Sequence, residues 1–327
     1  MRRLVKQFTT QLSEALEIGE KANLKPSKNQ INNIVITGLG GSGIGGKIAT
    51  QIVADQLKIP AVINNDYTMP KFINENTLVI VSSFSGNTEE TLEALKVAQE
   101  ANSEIACITH GGKLAEIAKE NDYNLLILPK AFSPRAMLTY SVIQQLFLFN
   151  HYGFINNDYV EQTKAAVTLL DKEVEDIIST AKKTAKALQN KTFVTYSESS
   201  MEGVIVRFKQ QINENSKALG WAHVFPEMNH NELVGWAGGK EEYAVIIFRS
   251  SYEHPRSSVR IEICKDIFKK HTSTVLEFTA KGDTFLAQTF YHILLGDWIS
   301  VYLAELYNVD DVEVEVINFL KAELAKI

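Results

Sequence analysis

Residues 77–101 read TLVIVSSFSGNTEETLEALKVAQEA, and this stretch decides the fold. Leu78-Val79-Ile80-Val81 is a short apolar run with the length and composition of a buried parallel strand. Ser82, Ser83, Ser85, Gly86 and Asn87 supply a small, polar turn. Beyond it, Leu92, Leu95 and Val97 or Ala98 fall on one face of an amphipathic helix. Strand, hydroxyl-rich turn and helix in that order aim the free N–H groups and the positive dipole end of the helix into the turn. Ser83, Ser85 and Thr88 add neutral hydroxyl donors, and the whole suits an anion, a phosphate monoester best. The plainer reading makes Thr88 an N-cap and the serines ordinary turn residues. Glu89 and Glu90 fit a first helical turn but would repel a phosphate unless they point away from it.

Outward from this unit, the same alternation repeats. On the N-terminal side, residues 1–22 have helical spacing in Leu4, Phe8, Leu12, Ala15 and Leu16, broken by Lys25-Pro26-Ser27. Residues 33–37 read as a strand, 38–46 as a glycine loop, 47–57 as a helix and 61–64 as a second strand. On the C-terminal side come strands at 105–109 and 125–128, a short helix at 114–119 and a long apolar helix over 137–149. Alternating apolar runs and helices predict an α/β fold with a doubly wound parallel sheet. Residues 158–190 are helical throughout, with Lys and Glu interspersed, as a connector would be. The second half then repeats the order: strands at 192–196, 243–248 and 273–278, helices over 201–215, 257–269 and 286–307, and a short helix in the 312–327 tail. It has no second glycine loop, so its own anion site is expected to be lost or reshaped. The expected domains are 1–155, led by the 1–22 helix, a connector over 156–190, and 191–327.

The 327 residues suffice for two domains with a large core. A composition of 45% hydrophobic and 22% charged residues is that of a globular protein. The net charge is −6 and the pI near 5.7, with no basic run, which argues against nucleic acid as a partner. An anion must therefore be bound by local donors and not by a general field. Cys107 and Cys264 are far apart in apolar surroundings and read as buried free thiols of a reducing compartment. The basic start runs into a helix with Glu14, Glu17 and Glu20, unlike a signal peptide, and no apolar run reaches membrane-spanning length; a cytoplasmic protein is expected.

Gly38-Leu39-Gly40-Gly41-Ser42-Gly43-Ile44-Gly45-Gly46 contains GxGxxG between a strand and a helix, which on its own suggests a dinucleotide site. Asp66 lies near the place where such a site holds a ribose. Against this stand the surplus of glycine, Ser42 in mid-loop, and SSFSGNT at the end of the third strand. Two phosphate-type loops at neighbouring strand ends suit one sugar phosphate, one loop for its phosphate and one for its hydroxyls.

GLGGSGIGG, SFSGNTEET, PRAML and INENSKA with FPEMNHNE, in that order over both halves, resemble the bifunctional phosphoglucose/phosphomannose isomerases of the SIS (sugar isomerase) superfamily. Phe84 departs from the tyrosine common in that family's SYSGNT, while the donors beside it are kept. The resemblance implies two SIS-type doubly wound parallel-sheet domains (flavodoxin-like, three-layer αβα) with a helical connector. It also implies metal-independent, cofactor-free interconversion of glucose 6-phosphate, and of mannose 6-phosphate, with fructose 6-phosphate through a cis-enediol(ate).

Residue by residue, the resemblance makes Glu214 the base that moves the proton between C2 and C1; read locally, Glu214 is a solvated carboxylate where a helix ends. It makes His230 a ring-opening group reaching in from the neighbouring subunit of a homodimer; the plainer reading is a structural loop histidine. A metal reading would draw on His223, His230 and Glu232, which have no helical ligand spacing. Lys321 matches the other ring-opening group, or is a surface lysine on an amphipathic helix. Arg135, in a loop after the fifth strand, would stabilise the enediolate. Gly41 and Ser42 would line the substrate, and Ser83, Ser85 and Thr88 would take its phosphate. The alternative is a sugar-phosphate-binding protein of the same fold without catalysis. Regulators of that kind carry a helix-turn-helix segment beside a single sugar domain, and neither feature is evident here.

Overall fold

The computed structural model describes all of residues 1–327 except Phe132, Ala325 and Ile327. The chain forms two compact units. The N-terminal unit comprises Gln7–Asp171 and Gly282–Ala287; the C-terminal unit comprises Met1–Lys6, Lys172–Lys281 and the chain from Gln288 onward. Among the described residues no helix is long and apolar enough to cross a membrane.

In the N-terminal unit, β1 (Asn33–Thr37), β2 (Ala61–Asn64), β3 (Thr77–Ser82), β4 (Glu104–Thr109) and β5 (Asn124–Ile127) lie in the order β2-β1-β3-β4-β5. Every neighbouring pair is parallel. β3 is buried along its whole length, as its unbroken apolar run requires of a strand covered on both faces. On one face Val35, Val79, Val81 and Ile105 meet Leu95 and Ala98 of the Glu89–Glu100 helix and Leu114 and Ala118 of the Gly112–Glu120 helix. On the other face the Phe8–Glu20 and Gly41–Ile52 helices pack on Leu138–His151. The leading helical stretch is not continuous: Arg2–Val5 is a separate turn.

The C-terminal unit has β6 (Thr192–Glu198), β7 (Gly220–Phe225), β8 (Tyr243–Arg249) and β9 (Val275–Thr279) in the order β7-β6-β8-β9, again all parallel. This is the first order less one strand. In both sheets the third strand flanks the first, so the strand order reverses there; in dinucleotide-binding folds the third strand flanks the second. β7 is an element the sequence pattern does not signal. It is an edge strand, only Phe225 is buried, and Trp221 remains 38% exposed. One face carries Val194, Tyr196, Val245 and Ile247 against Ile261, Cys264 and Phe268 of the Pro255–Phe268 helix. Phe193, Phe208 and Phe248 pack edge to face on the other. The Asp158–Leu188 helix carries the chain from one unit into the other.

Both cysteines are free and buried, and burial pushes the Cys107 thiol up to about 12. His292, in the Phe285–Tyr307 helix, is fully buried and donates Nε2–H to the Arg249 carbonyl at 2.8 Å. Burial holds its imidazole down to about 4 from an ordinary 6.5. The folded value lies below the unfolded one, so the unfolded chain binds more protons between them and stability is lost as the pH falls through that window. Wild-type protein should therefore lose about 2 kcal/mol through His292 between pH 7 and pH 5. His292→Gln keeps a donor without a charge, and urea unfolding at the two pH values should show the variant losing about 2 kcal/mol less. Equal losses in both proteins would show that the imidazole is not held neutral.

Candidate active site

The crevice of a doubly wound sheet opens at the carboxyl ends of the strands where their order reverses, here between β1 and β3. Residues 83–88 occupy it. Ser83 is 2% exposed; its Oγ lies 2.9 Å from Thr88 Oγ1 and accepts the Gly86 N–H at 3.1 Å. Ser85 is exposed and its Oγ accepts the Asn87 N–H at 3.2 Å. Thr88 precedes the Glu89–Glu100 helix but its side chain makes no cap bond. Thr88 is thus the N-cap residue by position, as the plainer reading has it, but its hydroxyl pairs with Ser83 and caps none of the first N–H groups of the helix.

The turn is held by its neighbour after β4. The His110 N–H donates to the Phe84 carbonyl at 3.0 Å, and the Lys113 N–H to Asn87 Oδ1 at 3.1 Å. Gly86 has φ +69°, and a Cβ there would stand 1.8 Å from the Gly111 carbonyl oxygen. Only glycine meets both demands.

The glycine-rich stretch is not the nine-residue loop its composition suggests. The helix begins at Gly41, directly after Gly40 at φ +53°. Its glycines serve close packing: a Cβ on Gly45 would meet Ser141 Oγ at 2.4 Å, and one on Gly46 would meet Ile36 Cγ2 at 2.7 Å. Packing of this kind overrides glycine's poor helix propensity. Gly41 and Ser42 are half-buried at the helix start, and the Cβ direction of Gly41 points to Arg135 Cα and the Pro134 carbonyl, each 3.9 Å away. Arg135 is itself buried, in the Pro134–Ala136 turn. Gly41, Ser42, Ser83, Ser85, Thr88 and Arg135 therefore all lie beyond the carboxyl ends of β1, β3 and β5 in one unit. Asp66 is exposed and accepts the N–H of its own neighbour, Tyr67, at 2.6 Å.

At the matching place in the C-terminal unit, carboxylates of the chain itself take up the donors. Glu253 accepts the Ser250 N–H at 3.0 Å, Arg249 Nε at 2.9 Å and the Ser258 hydroxyl at 2.8 Å. Glu198, at the end of β6, accepts the Ser200 hydroxyl at 2.5 Å. It also takes the His254 N–H and the Ser257 hydroxyl, each at 3.4 Å, at the start of the Pro255–Phe268 helix.

Glu214 is half-buried in the last turn of the Glu202–Ser216 helix. Lys217 ends that helix in a left-handed conformation, and its Nζ donates to the carbonyls of Glu214 and Asp310 at 2.7 Å and of Glu313 at 2.8 Å. The same helix is joined to Phe285–Tyr307 by polar groups that the sequence reading passed over. Gln211 Nε2 meets Asp297 Oδ1 at 2.9 Å, Arg207 reaches both Asp297 oxygens at 3.2 Å, and Asn215 Nδ2 meets Ser300 Oγ at 2.9 Å. Burial raises the Asp297 carboxyl, against Arg207 and Gln211. Its sequence signal was a lone acid inside the apolar run from Leu286 to Ala304. His230 is exposed, as is Lys321 on the Glu315–Leu324 helix. The three residues of the metal reading are not brought together as a set: His223 pairs with Glu232 at 2.8 Å, and among the described residues no three His, Cys, Asp or Glu side chains could hold a metal ion.

Residues 29–152 match the family model of the SIS domain, and residues 177–324 that of the bacterial phospho-glucose isomerase C-terminal SIS domain. The chain is 39% identical to the bifunctional phosphoglucose/phosphomannose isomerase of Caldicellulosiruptor bescii, over 97% of this chain and 96% of that one. It belongs to that family. A second member, from Aquifex aeolicus, is 34% identical over 90% of each chain. Among solved structures, the C-terminal domain of glucosamine-fructose-6-phosphate aminotransferase from Francisella tularensis superposes with a TM-score of 0.75 over 96% of this chain and 98% of that one, at 15% identity. Tagatose-6-phosphate ketose/aldose isomerase from Escherichia coli does so at 0.66, over 95% and 92%, also at 15% identity. These two likenesses establish the shared fold.

Gly86→Ala should cost about 2 kcal/mol or more in urea unfolding, since it combines a left-handed backbone with a collision against Gly111. An unchanged midpoint would show that the 83–88 turn is not seated on its neighbour.

Proposed function

We propose that this member of the family interconverts glucose 6-phosphate, and mannose 6-phosphate, with fructose 6-phosphate without a metal or cofactor. The observation that carries the reading is the cup of hydroxyls at residues 83–88 with the start of the Glu89–Glu100 helix behind it, set where an α/β sheet binds its ligand. Ser83, Ser85 and Thr88 take the phosphate, and Gly41 and Ser42 line the sugar. Neutral donors and a helix start can hold a dianion in a chain of net charge −6 because they act at contact distance.

The sugar ring opens when a proton leaves the anomeric hydroxyl and another reaches the ring oxygen as the C1–O5 bond breaks, with His230 and Lys321 as the acid and base. Glu214 then takes the C2 proton; the C–H electron pair becomes the C1=C2 double bond of an enediolate, with charge on O1 facing Arg135. Transfer of the O2 proton to O1 and return of the carbon-bound proton to C1, with C2=O forming as the C1=C2 pair takes up that proton, gives the ketose. The planar intermediate has lost the C2 stereocentre, so rotation about C2–C3 lets the same base serve glucose and mannose substrates. His230 is contributed across a homodimer, and the setting is cytoplasmic.

Purified protein should convert fructose 6-phosphate to both aldose phosphates at an undiminished rate in EDTA. Glu214→Gln should lower kcat by about a hundredfold or more while sugar-phosphate binding persists. Loss of activity in chelator would overturn metal independence, and binding with no turnover in the wild-type chain would leave a sugar-phosphate-binding protein without catalysis. Mixed and reassembled His230→Ala and Glu214→Gln chains should recover about a quarter of wild-type activity, because half the dimers then hold one intact site of two. No recovery would place both residues in one subunit's site.

A further inference from the structure

Three donors from two neighbouring strands converge on the carboxylate of Glu232. Oε1 accepts the Tyr196 hydroxyl and the Trp221 indole N–H, the latter at 3.2 Å, and Oε2 accepts His223 Nδ1–H at 2.8 Å. Tyr196 on β6 and His223 on β7 are register partners, with Trp221 two residues earlier on the same face. Burial first, and the bond to Glu232 second, hold the Tyr196 hydroxyl far above its usual range, so it stays a neutral donor. Trp236 Nε1 in turn donates to the Tyr196 oxygen at 3.0 Å. None of these groups has a part in the chemistry described above.

The short segment leading into Glu232 is fastened on both sides of one residue. Met228 is fully buried in the core, and Asn229 Nδ2 reaches Cys264 Sγ at 3.1 Å. Asn231 Oδ1 accepts the Glu232 N–H at 2.6 Å, and its Nδ2 donates to Glu227 Oε1 at 2.8 Å. Between them His230 stands exposed, and its ring makes no hydrogen bond among the described residues. A loop whose every neighbour is tied and whose one free side chain is an imidazole has the form of a pre-set catalytic arm.

We propose that Glu232 is the positioning residue of His230: its carboxylate, clamped by Tyr196, Trp221 and His223, fixes segment 227–232 to the sheet edge and so sets where the imidazole is presented. This rests on the reading of His230 as a ring-opening group. The step it serves can be observed apart from isomerisation, because opening and reclosing the ring exchanges the α and β anomers of glucose 6-phosphate without touching C2.

The test is enzyme-catalysed anomer exchange, followed by NMR exchange spectroscopy with full-length protein. Glu232→Gln should slow it about tenfold or more with KM nearly unchanged, since an ångström of misplacement costs that much. His223→Leu, a change at the edge strand that guards against a folding failure of the first variant, should slow exchange in the same way. His223→Asn, which restores a donor near the Nδ1 position, should recover most of it. Exchange lost in His230→Ala but kept at the wild-type rate in Glu232→Gln and His223→Leu would overturn the positioning role and leave the reading of His230 standing. Wild-type exchange in His230→Ala would overturn that reading and this inference with it.

Discussion

The parallel pairing of β1 with β3, running in register from Asn33 with Thr77 to Thr37 with Val81, is the contact on which the site depends. It brings the ends of two strands that are distant in sequence to one edge and sends their following helices to opposite faces. The crevice between them is a consequence of that reversal and not of any single motif. A Cβ on Gly38 would stand 2.6 Å from the Ser82 carbonyl, which shows how closely the two strand ends approach. Given that approach, the hydroxyls at 83–88 and the helix start at Gly41 have to share one mouth.

The same pairing recurs between β6 and β8, and the contrast is instructive. There the strand ends carry Glu198 and Arg249, and Glu198 and Glu253 satisfy the donors from within the chain. One topology thus yields a hydroxyl-lined turn in one unit and a closed internal ion pair in the other. The difference lies in a few side chains: a serine-rich turn has donors and no acceptor of its own charge, whereas a turn with Glu253 brings its anion along. The C-terminal unit invests its polar groups elsewhere, in joining the helix of Glu214 to the Phe285–Tyr307 helix. A buried group such as Asp297 with Arg207 adds little net stability over an apolar pair, and removing one partner would leave the other charge buried and unpaired.

Much of this was legible in particular residues. Leu78–Val81 and Tyr243–Phe248 could be little other than buried strands, and the position of Ser83, Ser85 and Thr88 after the first of these pointed to an anion. β7 was not legible, because Gly220-Trp221-Ala222-His223 has the mixed character of an edge strand and lacks an apolar run. The glycine-rich stretch misled in length: glycine reads as loop by propensity, yet here it is helix, because only a missing Cβ lets the backbone approach Ile36 and Ser141. Thr88 read locally as a helix cap, and the structure keeps it at the N-cap position while pairing its hydroxyl with Ser83, a contact the linear chain does not show.

By itself the sequence determined the alternation of strands and helices and the two-unit repeat, because these depend on periodicity and on residue types within one turn of chain. Only the tertiary structure decided which donors stay open and which are spent on the protein itself. Glu253 on Ser250, Glu232 on Tyr196 and His223, and Asp297 on Arg207 are partnerships between side chains that fold into contact, and in the linear chain each of those carboxylates looks as available as Glu214.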